Sequence, residues 1–446
     1  MARKARLVEP TPAEALASVD GSSERDGWKP EDLKMFQFLR GVLNHIDIAY
    51  VATYPPQECG IATFTRDLAM AISKYTPFSD PVVVAVSGEA DIEPYPKIVK
   101  FQIRKPNPHS YLDAAEFLNQ SQISVVNIQH EYGIFGGQDG EYILDFLKKL
   151  RKPAVATLHT VLFDPYPNQQ RIVREIAELC SAVVVMVKMG KQMLIENYGI
   201  PPEKIVVIRH GVPNVHRVSA TVAKKALGIS DRPVLSTFGL INRGKGVEYA
   251  IRAMPRILEK HPDALYLVLG ETHPGVRNYE GESYRKELLQ LVADLGLEQH
   301  VRFNNRYLML EELISYLCAT DVYITSYVNR DQIVSGTLAY ALGCGKAIVS
   351  TPYLYAEEVL SKGKGMLVDF RSPDEISQAV DYILLNPGFR EEMEARAYRY
   401  GRRAAWFNVA IDYLDLFHST RSLPKAAPAV IPSRVNPNKT DRSKTA

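Results

Sequence analysis

Ser335, Gly336 and Thr337 open an apolar helical stretch, TLAYALGCGK, that Gly343 and Gly345 close before the chain turns extended again. Free amides, two hydroxyls and the positive end of a helix dipole make such a start a place for an anion. Well upstream, FGLINRGKGVEY sets Arg243 and Lys245 among Gly239, Gly244 and Gly246. Arginine grips phosphate oxygens in pairs and lysine acts as a point charge, so a diphosphate between the two segments would be covered from both sides without a divalent metal. The loop matches neither G-x-x-x-x-G-K-[ST] nor G-x-G-x-x-G, which argues against nucleotide hydrolysis and dinucleotide binding.

Three further segments carry polar groups where a ligand can meet them. YPPQECG stiffens a turn with Pro55 and Pro56 and brings the bare backbone of Gly60 to a helix entry, suited to an anion or a sugar hydroxyl. QHEYGIFGGQDGEY gathers His130, Glu131 and Tyr132 in a glycine-rich loop after an apolar run. Adjacent residues point to opposite sides of an extended backbone, so His130 and Glu131 do not read as a metal pair, and contacts to sugar or acceptor hydroxyls fit better. ATLHT ends another apolar run with His159, aimed at whatever lies above the sheet.

Strand ends must position these groups. Short β-branched runs at 47–53, 82–86, 124–128, 154–158, 182–187 and 204–208 alternate with helical patterns, and a second series follows at 233–238, 265–270, 300–304, 321–326, 346–351 and 365–370. The alternation predicts an α/β fold of two doubly wound, Rossmann-like domains. Ligands in such sheets bind beyond the carboxyl ends of the strands, so two facing sets of ends make a cleft. The expected division is 31–215 and 216–400, with polar tails at 1–30 and 420–446 that hold too little apolar material to fold. With 53 basic against 51 acidic side chains, nothing points to a nucleic-acid partner. Cys59, Cys180, Cys318 and Cys344 lack C-x-x-C spacing and fit a reducing compartment. The polar N-terminus and the absence of a long apolar run predict a cytoplasmic protein, with peripheral membrane contact through the basic tail left open.

Over about residues 46–416 the chain resembles the retaining nucleotide-sugar glycosyltransferases of family 4, also called group 1. The landmarks fall in order: the Pro-Pro loop with Gly60, TLHT with His159, VIRHGVP, RGKG, LGCGKAIVST and AWFNVAIDYLDLF. The resemblance implies a GT-B fold, an acceptor held by the first domain, a donor nucleotide held by the second, and a last helix, 401–419, that crosses back. It implies catalytic roles for His159, Gln332, Arg243 and Lys245, with Gly60 near the donor phosphates. Two departures stand out. Leu240 follows the glycine where many members carry arginine, leaving Arg243 three positions late. Gln332 and Tyr340 occupy the positions of two family glutamates, one beside the sugar and one on the ribose. Asp331, Ser335 and Glu358 are the polar groups that can compensate, and Asp331, Tyr340 and Glu358 form the expected nucleoside or sugar contacts.

The expected activity is transfer of a hexose, mannose or glucose first, from a GDP- or UDP-linked donor to a saccharide, with retention and with no cofactor or metal. A retaining phosphorylase of the same fold and a non-catalytic sugar-nucleotide-binding or regulatory protein are the alternatives.

Overall fold

A computed structural model describes residues 45–76, 79–88, 94–229 and 232–421. The expected tails at 1–30 and 420–446 lie outside the described residues, except that Thr420 and Arg421 close the final helix. Strands β1 (Ile48–Ala52), β2 (Val82–Ser87), β3 (Val99–Arg104), β4 (Val125–His130), β5 (Ala154–Leu158), β6 (Ala182–Val185) and β7 (Ile205–Val207) form one parallel sheet in the order 3-2-1-4-5-6-7. Strands β8 (Val234–Phe238), β9 (Leu265–Leu269), β10 (Val301–Asn304), β11 (Val322–Thr325), β12 (Ala347–Ser350) and β13 (Met366–Leu367) form a second, in the order 10-9-8-11-12-13. All pairings are parallel, the arrangement in which helices must cover both faces.

The central strands β1, β4, β5, β8, β9, β11 and β12 are buried at every position, as continuous β-branched runs require. The run-based reading misses β3. Lys100, Gln102 and Arg104 are exposed there while Ile103 is buried, an alternation suited to an edge strand covered on one side. Helix Val247–Lys260 shows how the covering works: Val247, Ala250, Ile251, Met254 and Ile257 repeat at helical spacing and are all buried.

Strand order reverses between β1 and β4 and again between β8 and β11, so each sheet opens a crevice beyond its carboxyl edge at that point. The final helix, Trp406–Arg421, packs on helix Gly60–Ser73 and on β4 and β5 of the first sheet. Its Tyr413 hydroxyl lies 3.0 Å from Thr157 Oγ1. Where the chain passes between the halves the two crossings are stitched together: Val212 N donates to Ala404 O at 2.9 Å, and Trp406 N to Val212 O at 3.0 Å. No helix of the described residues is long and apolar enough to cross a membrane.

The crossing depends on Gly211. A Cβ there would fall 2.2 Å from a Trp406 ring carbon, well inside contact distance. Gly211→Ala is therefore expected to displace the indole and cost about 1–3 kcal/mol, the usual range for overpacking. Urea denaturation should show a lowered midpoint; an unchanged one would mean that the crossing yields freely.

Candidate active site

A cavity of about 340 Å³ lies between the two halves, lined from the first by Gly60, Thr63, Phe64 and His210 and from the second by residues at the ends of β8, β9 and β11 and the helix that follows. Gly60 begins helix Gly60–Ser73, capped by Cys59, whose sulfur accepts from Ala62 N at 3.4 Å. A Cβ on Gly60 would meet nothing within 4 Å, so its backbone faces open space. Across the cavity, Gly239 leaves β8 at φ 128°, where an L side chain is strained, and lets the chain approach Thr337.

The polar heart of the cavity is a cation with three hydroxyls. Ser335 caps helix Gly336–Gly343, its Oγ accepting from Leu338 N at 3.3 Å. The Tyr327 hydroxyl lies 2.8 Å from Thr337 Oγ1 and 3.3 Å from Ser335 Oγ. Lys245 donates to that same phenol, and its Nζ sits 4.2 Å from the ring centroid. Burial pushes the Tyr327 phenol up, but Lys245 and the hydroxyl bonds outweigh it, and the net shift is downward. The ammonium, the helix start and the hydroxyls thus converge on one spot that favours negative charge.

Several expected site residues line this cavity: Gly60, Lys245, Gln332, Ser335, Gly336, Thr337 and Tyr340. Gln332 donates to Val334 O at 2.7 Å, bracing the turn that presents Ser335. Tyr340 reaches across the halves, its hydroxyl donating to Asp67 Oδ2 at 3.0 Å, while Arg66 holds the other Asp67 oxygen at 2.7 Å.

The others sit outside it. Arg243 forms a two-pronged pair with Glu287 at 2.8 and 2.7 Å, lies over the Tyr284 ring and is exposed. Asp331 is exposed on the loop before the cavity. Glu358 braces the two halves, each oxygen accepting a backbone amide at 2.9 Å, from Lys188 and Met189, at the start of helix Lys188–Glu196. That is the favourable place for a carboxylate on a helix. His130 is fully buried between Tyr132 and Phe135, with neither ring nitrogen bonded among the described residues, and Glu131 accepts from Thr160 Oγ1 and Tyr132 N. His159 lies beneath the cavity wall: its Nε2 is 2.8 Å from Gln129 Oε1, and its ring meets Phe64 edge-on at 4.8 Å.

The cavity also contains groups that the sequence reading does not single out. His210 follows β7 as His159 follows β5, so the same strand-end logic finds it. Its Nδ1 lies 2.7 Å from Gly211 O, which makes that nitrogen the donor and leaves Nε2 as an acceptor facing Gly336. Tyr327 follows β11 in the same way. Tyr307 pairs with Thr63 across the halves at 2.8 Å. Glu271, after β9, is raised to about 6, by burial first and then by the neighbouring Glu58 carboxyl, with Arg277 opposing.

Two parallel sheets that reverse order at facing crevices, with a cation-and-hydroxyl cluster between them and a last helix returning to the first sheet, define the GT-B class. Residues 60–214 match the model described as Glycosyltransferase Family 4, and residues 220–402 match that described as Glycosyl transferases group 1. The chain belongs to this family of glycosyltransferases. It is 27% identical over 273 residues to a D-inositol 3-phosphate glycosyltransferase of Corynebacterium urealyticum, covering 59% of this chain and 62% of that protein. An uncharacterized glycosyltransferase of Methanocaldococcus jannaschii is 23% identical over 82% of this chain and 95% of its own length. The fold is shared with HepE of Anabaena, solved with UDP and glucose (TM-score 0.66, 16% identity, 84% of this chain and 100% of that one). It is also shared with sucrose-phosphate synthase of Thermosynechococcus elongatus (TM-score 0.68, 14% identity, 84% and 98%).

Proposed function

We propose that the chain transfers a hexose, mannose or glucose, from a UDP- or GDP-linked donor to a saccharide acceptor, with retention of configuration and without a metal. The observation that carries this reading is the cluster of Lys245, Tyr327, Ser335 and Thr337 at a helix start. A leaving diphosphate held there has its charge met by an ammonium, hydroxyls and backbone amides. Attack from the same face lets a leaving phosphate oxygen take the acceptor proton, so the scheme calls for positioning rather than a dedicated base. The first half supplies that positioning through Gly60, Thr63 and Phe64, with His159 supporting Phe64 from behind. Arg243 joins the diphosphate in this scheme only by exchanging Glu287 for phosphate. The reading is tested by offering sugar nucleotides with saccharide acceptors and following release of UDP or GDP; a panel that yields none overturns it.

Gln332 offers a sharper test. A glutamate at this position, as in the family, cannot donate to Val334 O and would set its charge against that carbonyl. Gln332→Glu is therefore expected to lower kcat/KM about tenfold, or about 1.4 kcal/mol. A rise would mean that the turn relaxes and the carboxylate assists the reaction.

A second reading, a protein that binds a sugar nucleotide without turning it over, draws on Tyr340, whose hydroxyl is engaged by Asp67 where the family uses a ribose-binding carboxylate. It predicts a rise in melting temperature with nucleotide but no release of diphosphate.

A further inference from the structure

A second cavity, about 570 Å³ in volume, lies in the second half at the opposite edge of the sheet from the active site. Its floor is formed where strands begin: Pro233 precedes β8, Asp321 precedes β11 and Lys346 precedes β12. Five cationic side chains line it against two carboxylates, Asp321 and Glu394, among the described residues.

The cations fall into two groups. Lys346 is 6% exposed, and its Nζ donates to Cys318 O at 3.2 Å and Thr320 O at 3.0 Å. Among the described residues Arg232 likewise bonds only carbonyls, of Asp263, Ala264 and Gln299. An ammonium has three donors and a carbonyl carries no net charge, so these contacts orient the cations without neutralising them. The other three share the two carboxylates. Lys224 is bonded to Asp321, but Arg390 stands 3.4 Å from Asp321 and 3.7 Å from Glu394, and Arg217 reaches Glu394 through one nitrogen at 3.1 Å. Strong charge-assisted bonds run nearer 2.7–2.9 Å. Arg217 and Arg390 are thus loosely held and free to turn toward a better partner, over a floor whose positive charge is fixed.

We infer that this cavity binds a compact phosphate-bearing anion, between the loosely paired Arg217 and Arg390 and the fixed charge of Lys346 and Arg232. The position gives such binding a consequence. Arg217 belongs to the segment entering the second half from Val212, and Arg390 to helix Pro387–Arg403, which leads back out through Ala404. An anion shared by the two arginines ties together the roots of both crossings.

Calorimetric titration of the full-length protein with inorganic phosphate, at an ionic strength fixed with chloride, tests this. Added salt should weaken binding, since charges are screened over about 10 Å at 0.1 M. Arg217→Ala and Arg390→Ala should each weaken phosphate about tenfold, and Glu394→Gln, which removes a competing carboxylate, should tighten it. Lys245→Ala should remove whatever phosphate the active-site cluster takes up and leave the binding that depends on Arg217 and Arg390 unchanged. Phosphate should also slow amide exchange in residues 217–224 and 387–394 of the unaltered protein, a readout that stands even where an arginine variant fails to fold. A hexose 6-phosphate that binds like inorganic phosphate shows recognition of the phosphate group alone, and one that binds more tightly shows that the cavity also takes a sugar; either supports the site. Phosphate binding indifferent to Arg390→Ala and Glu394→Gln, or lost entirely in Lys245→Ala, or no binding at all, overturns it.

Discussion

Lys245→Ala is expected to lower kcat/KM for sugar-nucleotide turnover by about 10²–10³-fold, equivalent to about 2.7–4 kcal/mol of lost transition-state stabilisation. Lys245 is the cation that touches the hydroxyl cluster, and charge on a departing diphosphate grows as the glycosidic bond breaks. The loss should therefore fall mainly on kcat. The fold should survive, because Tyr327 keeps its contacts with Thr337 and Ser335, and Tyr327 O still accepts from Thr351 Oγ1 at 2.7 Å. Arg243→Ala supplies the contrast. Its guanidinium is already matched by Glu287 outside the cavity, so its effect on kcat should be several-fold at most. Steady-state kinetics on both variants, with melting temperatures to exclude unfolding, decide the matter. A larger loss for Arg243 would mean that it leaves Glu287 and takes the principal phosphate contact in the working complex.

Local patterns made much of this legible. β-branched runs marked every strand but β3, where an exposed residue stands at every second position; the strand-end rule led to His159, a glycine-flanked cationic loop to Lys245, and a helix start to Ser335. The rule reaches further than the residues first taken from it, since His210 and Tyr327 obey it equally. Contacts between the halves leave no local pattern. Tyr340 bonds Asp67, and Glu358 caps a helix of the other sheet, and neither pairing has a spacing to read. Arg243 shows the same limit on a smaller scale. The loop could be read as cationic, but the acids that turn it away, Glu280 and Glu287, lie on later helices. Side-chain direction depends on those neighbours, and charge alone does not supply it.

Mild acid should destabilise the first half. Burial lowers His130 to about 4, His159 to about 3 and His210 to about 4, and these groups face aromatic rings, amides and one another. His130 meets Tyr132 and Phe135, His159 meets Gln129 and Phe64, and His210 meets Phe64, Tyr340 and Trp406. An unfolded histidine takes its proton near pH 6.5, whereas the folded ones stay neutral until well below that. The unfolded state therefore binds more protons between about pH 6.5 and 4, and stability must fall as pH falls through that window. By pH 5 each histidine is expected to have lost about 2 kcal/mol. Glu271, raised to about 6, acts in the opposite sense, since it gains its proton earlier when folded. Asp67, Glu131, Glu178 and Asp412, which burial also raises, act with it, but the unfolded histidines begin to take protons near pH 6.5, above the ordinary carboxyl range, so the histidines should set the direction from neutral pH downward. Chemical denaturation at pH 7.5, 6 and 5 should show a net loss of stability, and His130→Leu should recover about 2 kcal/mol of it at pH 5, because His130 is buried with both nitrogens unbonded among the described residues and gives up no hydrogen bond on replacement. A stability that stays level from pH 7.5 to 5 would mean that these rings take up protons without leaving the core, and the solvent-excluded packing beneath the cleft would have to be looser than the geometry around Phe64 implies.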